Sequence, residues 1–179
     1  MPAPDRRDGV TLRHESGTLI IWQHGEVVTS LQDGYYSYSY GPMHYSGCFR
    51  GGRRDGHWQI FHKNGSMAWE ISWTDGVWDG PSNSWWEDGT KLEEGRYNAG
   101  RMTGTWTWWY RNGQMAARGP YEDDLKVGQW LYFDEQGRSI TAAQFAKDDG
   151  DWARDDYTGL PRGENWPMPP DGLTPDRSR

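Results

Sequence analysis

The sequence is short of the material from which most folded domains are built. Leu, Ile and Val together are outnumbered by glycine, which occurs 24 times in 179 residues. The hydrophobic fraction is 34% and the mean hydropathy -1.03, which excludes a thick aliphatic core. There is one cysteine, Cys48, so an intrachain disulfide is excluded and no oxidising compartment is indicated. Long apolar runs are also missing. The strongest is Leu19-Ile20-Ile21-Trp22, far below the ~18 residues of a membrane-crossing helix. No apolar stretch follows the charges of residues 1–8, which argues against a signal peptide. The expectation is a soluble chain, cytoplasmic or peripheral to a membrane. Positive charge is in deficit: the net charge of -7 disfavours a nucleic-acid backbone as partner.

What is present is aromatic. Tryptophan occurs 13 times and tyrosine 10 times, whereas disordered chains are poor in both. These residues recur with a period of 24. Gly56, Gly80, Gly104 and Gly128 form one column, and nine positions on come Gly65, Gly89, Gly113 and Gly137. Five positions after the first glycine stand Phe61, Trp85, Trp109 and Phe133; seventeen after it stand Trp73, Tyr97, Tyr121 and Phe145. A fifth column holds Trp58, Trp106 and Trp130, with Ser82 as its exception. The register decays outward, through Gly41, Gly47, Phe49 and Gly52 on one side and Gly150, Trp152 and Gly159 on the other, as end units with one neighbour do. The chain divides into an arm at 1–16, a repeat array at 17–159 and a proline-rich tail at 160–179.

Each unit reads as a hairpin. Asn64-Gly65, Asp88-Gly89 and Asn112-Gly113, with Gln136-Gly137 as a weaker version, sit between aromatic runs and predict type I′ turns. A second glycine-bearing connection, as in Asp75-Gly76 or Asn98-Ala99-Gly100, closes each unit. The fold class is all-β: an elongated, single-layer antiparallel meander, with helix excluded throughout the array by the glycine spacing. Six hairpins span roughly 55–60 Å at ~4.8 Å per strand. Side chains alternate across the sheet, so Trp106, Trp108 and Tyr110 share one face while Trp109 takes the other. Successive aromatics stack as ladders, with Phe61, Trp85, Trp109, Phe133, Trp58, Trp106 and Trp130 as structural rungs.

The stretches Gly104-Thr-Trp-Thr-Trp-Trp-Tyr-Arg-Asn-Gly113 and Tyr97-Asn-Ala-Gly-Arg-Met-Thr-Gly104 resemble the MORN repeat, and most closely its bacterial variant form. The resemblance covers residues 17 to 160. Ser82 in place of Trp, and Asp124 and Asp148 in place of glycine, depart from it. It implies an elongated single-layer sheet without catalytic residues, and roles in protein docking, membrane-proximal assembly or lipid contact. Some bacterial members are labelled antitoxin-like.

No catalytic constellation stands out. His57 and His62 have opposite parity on a strand, and His44 with Cys48 is half a metal site without a second pair. The carboxylates of Asp148-Asp149-Gly150-Asp151 lack calcium-loop spacing. Neither metal nor cofactor is expected. The candidate binding residues are aromatics outside the repeating columns: Trp69, Trp78, Trp86, Trp108 and Tyr110, which a single layer should leave as an exposed apolar patch. The tail, with five prolines after Leu160, should be extended, with Trp166 and Met168 as anchors on a partner. The expected function is a non-catalytic interaction scaffold or accessory subunit with a protein partner, in a soluble or membrane-peripheral assembly. The alternatives are a small-ligand module for glycan, choline or lipid headgroup, and an antitoxin or immunity-type inhibitor.

Overall fold

Aromatic residues alternating with small or polar ones, between glycine-marked turns, favour paired strands because each strand can bury one face. The computed structural model describes residues 33–147 in full and, before them, the backbone of three strands. Those three, β1 (Val10–Glu15), β2 (Thr18–Gln23) and β3 (Glu26–Thr29), form an antiparallel sheet that begins inside the segment read as an arm. The main sheet has 11 strands. They are β4 (Gly34–Tyr40), β5 (Met43–Arg50), β6 (Arg53–Phe61), β7 (Met67–Thr74), β8 (Val77–Trp85), β9 (Lys91–Asn98), β10 (Arg101–Trp109), β11 (Met115–Glu122), β12 (Leu125–Lys126), β13 (Leu131–Phe133) and β14 (Ser139–Ile140). Each pairs antiparallel with its neighbour in sequence; only near the end do β12 and β13 both pair with β11. The expected open β-meander is what forms.

The two connections of each unit differ, and the type I′ turns lie elsewhere than expected. At Asn64-Gly65, Asp88-Gly89 and Asn112-Gly113 only the glycine has positive φ. Its N–H closes onto the carbonyl three residues back, as Gly65 N to His62 O at 2.9 Å, in a three-residue loop with a left-handed glycine. The first residue keeps ordinary φ because its side chain accepts locally: Asn64 Oδ1 takes the Ser66 N–H at 2.9 Å, and Asn112 Oδ1 the Gln114 N–H at 2.9 Å. Two consecutive positive φ values, the mark of type I′, occur instead at Gly51-Gly52, Asp75-Gly76, Ala99-Gly100 and Asp123-Asp124. The second residue of these turns donates its N–H one unit back, from Gly76 to Arg54 O at 2.8 Å, Gly100 to Trp78 O at 2.7 Å and Asp124 to Met102 O at 3.2 Å. Asp124, which replaces the glycine, adds a bond of its own: its Oδ1 accepts from Met102 N at 2.8 Å.

The column Gly56, Gly80, Gly104 marks a bend. At each of these glycines the strand bulges away from the preceding strand, as between Ser46↔Gln59 and Cys48↔Asp55, while pairing with the following strand continues. The last unit departs from pattern. Thr141 caps a single helical turn, α1 (Ala142–Phe145), through a capping box with Gln144, so the expected exclusion of helix fails there. Phe145 keeps its packing role nonetheless, with its ring 4.7 Å from that of Tyr132.

The core lies on one face, called here the tryptophan face. Trp58 and Trp106 are fully covered, and their indoles lie flat on Gly47 and Gly95, where any Cβ would overlap the ring; Trp130 does the same on Gly119. Gly47, Gly95 and Gly119 are therefore held by contact, not by backbone angle. The exceptional unit is exceptional twice: where Ser82 replaces the tryptophan, its cross-strand partner is Ile71 in place of glycine. Trp69 fills the space over Ser82 and its own cross-strand partner Ser84, donating from Nε1 to Ser82 Oγ at 2.8 Å. Volume is conserved while its source moves to the neighbouring strand.

Candidate functional site

Between the aromatic rungs of the tryptophan face runs a column of inserted side chains, Arg54, Trp78, Met102 and Lys126, again 24 apart. The Arg54 guanidinium sits 4.9 Å from the Trp58 ring and 5.3 Å from Trp73, and Lys126 Nζ lies 4.4 Å from Trp130. Burial holds the Lys126 ammonium below its usual pKa. Burial, with Tyr38 beside it, pushes the Tyr45 hydroxyl up to about 12. The Tyr45 shift reports a dry interior on this face.

The proposed contact residues fall mostly inside that interior, which corrects the expectation of an exposed patch. Trp69, Trp78 and Tyr110 are buried, at 4%, 7% and 4% exposure. Trp78 is wedged against Trp69, Trp73 and Tyr97, and Tyr110 donates its hydroxyl to Phe133 O at 2.8 Å. Trp108 is half-buried in the same ladder, stacked between Trp106 and Trp130 at 5.7 and 5.8 Å, with Nε1 on Glu93 at 3.1 Å. Trp86 is half-buried at a turn, under the Arg111 guanidinium at 5.2 Å. The reason is that aromatics between the repeating columns fill gaps that the columns leave. Trp166 and Met168 lie outside the described residues.

The opposite face carries what the sequence assigned to pure structure. Phe61, Trp85, Trp109 and Phe133 share this face, each half-exposed. On the strands between them a bulge brings one further residue into register, pairing Phe61 with Met67, Trp85 with Lys91 and Trp109 with Met115. The result is a stripe across seven strands, aromatic, methionine, aromatic, lysine, aromatic, methionine, aromatic, extending ~29 Å at the usual strand spacing. The stripe is bordered by a polar row, Gln59, Glu70, Asn83 and Glu94, in cross-strand register. Its other border is the turn edge. There Asn64 and Asn112 Nδ2 donate to Glu87 O and Glu135 O of the next turn, both at 2.8 Å. Asp88, with no donor, takes Arg111 Nε at 2.9 Å, and its carboxyl is held down to about 2 by that bond and by the Thr90 N–H. Met67, Lys91 and Met115 were the missed members. They stand 24 apart, but they are methionine and lysine, and the bulge that turns them to this face has no signature in residue type.

The geometry offers docking surface more readily than chemistry. His44 is hydrogen-bonded through its two ring nitrogens to the hydroxyls of Ser37 and Ser39, at 2.9 and 3.1 Å, so hydroxyls and not a carboxylate orient it. His57 is 4.0 Å from Glu70 on an exposed surface. Among the described residues, no three His, Cys, Asp or Glu gather as metal ligands, and no helix is long and apolar enough to cross a membrane. The fold and this face define a tandem-hairpin β-ribbon. The family model described as MORN repeat variant matches residues 102–123, which run from Met102 in β10 to Asp123 in the turn after β11. The match, to one unit of the array, supports a MORN-repeat protein, and the other units share the columns of the matched one. Comparison with curated proteins gives no match.

Proposed function

We propose that the chain is a non-catalytic docking ribbon that holds a protein partner against the stripe from Phe61 to Phe133. The observation that carries this reading is the half-exposure of seven large side chains in register on an otherwise polar face. These seven keep surface open to solvent on the face opposite the buried core around Trp58, Trp69, Trp73, Trp78 and Trp106. Aromatic and methionine side chains are enriched at the centres of protein interfaces, and a polar rim matches their usual surround. Repeats of this family act generally as non-catalytic binding modules, which agrees with the reading. Membership of a larger assembly, at a membrane surface or in the cytoplasm, follows as part of the same proposal.

The test is affinity purification from the native source with three baits. Wild type should retain a stoichiometric protein. Trp85→Ser with Trp109→Ser should lose it while keeping the far-ultraviolet spectrum of the sheet. Leu125→Ser, an exposed position paired with Glu122 at the other end of β11 from Met115, should retain it. Equal recovery on all three baits would refute the assignment to this face. A small-ligand reading is favoured by one local arrangement within the stripe, the lysine between two indoles.

A further inference from the structure

We propose that the slot between Trp85 and Trp109 is a binding site for a trimethylammonium group, held shut by the chain's own Lys91. Lys91 Nζ lies 5.7 Å from the Trp85 ring centroid and 5.6 Å from that of Trp109, so the two indoles already stabilise a cation from both sides. Glu94 Oε2 completes the site at 2.6 Å from the ammonium. The side chain is a third exposed, and its flexible stem can swing to solvent without moving the sheet.

Three features separate this slot from ordinary packing. First, the fold does not require a cation here: in the flanking units the same position is Met67 or Met115, and Ser139 in the last. Second, this is the slot with an indole on both walls, whereas its neighbours have one phenyl wall each, from Phe61 or Phe133; indole is the best of the aromatic faces for a cation. Third, the width fits. The walls stand on β8 and β10 with β9 between them, two strand spacings or about 9.6 Å, and Lys91 Nζ between them is within the ~6 Å reach of a cation–π contact from both ring centroids. A protonated primary amine is strongly hydrated and binds such a slot weakly, so Lys91 is a displaceable occupant, while a methylated cation gives up less water. The net charge of -7 favours cation entry. The inference stands apart from the docking proposal, since the slot can be filled by a small molecule with no protein bound.

The experiment is calorimetric titration of the full chain with choline, with its neutral isostere 3,3-dimethylbutan-1-ol, and sedimentation with phosphatidylcholine vesicles. Choline should bind wild type weakly and Lys91→Ser roughly tenfold more tightly, a change within the range of one cation–π site. Trp109→Phe in the Lys91→Ser background should reverse most of that gain, and the isostere should give no heat. Choline binding without vesicle binding assigns the site to a free molecule, and vesicle binding that depends on Trp109 assigns it to the lipid headgroup. Equal affinity of wild type and Lys91→Ser, equal binding of the isostere, or indifference to Trp109→Phe would each overturn the proposal. If Lys91→Ser loses the sheet signal in circular dichroism, Lys91→Met, which copies Met67 and Met115, replaces it. It removes the competing charge and should still tighten choline binding; no tightening overturns the idea.

Discussion

At the scale of single residues, glycine is used in two ways that look alike in the sequence. Gly104 has φ +66° with open space around it, whereas Gly95 has no such φ and lies under the Trp106 indole. Gly104→Ala should cost about 1 kcal/mol, the penalty of a left-handed Cβ. Gly95→Ala should cost about 3 kcal/mol or more, because the ring must leave its bed and the ladder with it. Denaturant titration of both variants decides it, and a larger loss for Gly104→Ala would invert the assignment. Asp88 makes a second point at this scale. Its folded pKa is about 2 against a usual 3.8, so whatever the Arg111 contact contributes is complete above pH 4 and fades as pH falls toward 2. The carboxyl titration followed by NMR should have its midpoint near 2, and Arg111→Gln should move it up toward 3.8.

At the scale of the hairpin, the useful unit is a column and not a residue. Arg54, Trp78, Met102 and Lys126 occupy one place between aromatic rungs, so the place asks for length and polarisability rather than charge. Arg54→Met should therefore stay within about 1 kcal/mol of wild type, since a buried cation replaced by an apolar side chain of similar length is often neutral. Arg54→Ala should lose roughly 2–4 kcal/mol by leaving a cavity beside Trp58 and Trp73. Thermal unfolding of the pair separates the two, and equal losses would show that the charge itself matters. Columns also set how much was legible beforehand. Fold and period are legible because glycine, tryptophan and Asn-Gly mark turns and rungs by type. The face of a given aromatic was harder to read. Trp69 and Trp78 break the columns, and breaking them meant filling the gap left by Ser82 and Ser84, not exposure. Trp85 and Trp109, which keep the columns, turned out to carry the open surface. Lys91 could not be placed because a bulge, set by backbone pairing around Leu92, decides its side.

At the scale of the whole molecule, the units among the described residues are fastened to their neighbours. Bonds between units recur at separations of 22 or 23, from Gly76 to Arg54 and from Asn64 to Glu87, and no strand of the main sheet pairs across the array. Such a molecule has no central keystone. If the two ends of the main sheet are pulled in an optical trap, the load falls on one terminal hairpin at a time, perpendicular to its strands, so hydrogen bonds part singly and not in parallel. Extension should grow in steps near 80 Å, the contour of 24 residues at about 3.4 Å each, at low and similar force. A single high-force rupture would mean that tension is shared along the ribbon. The same arrangement lets the chain be lengthened or shortened by whole hairpins with little effect on those that remain.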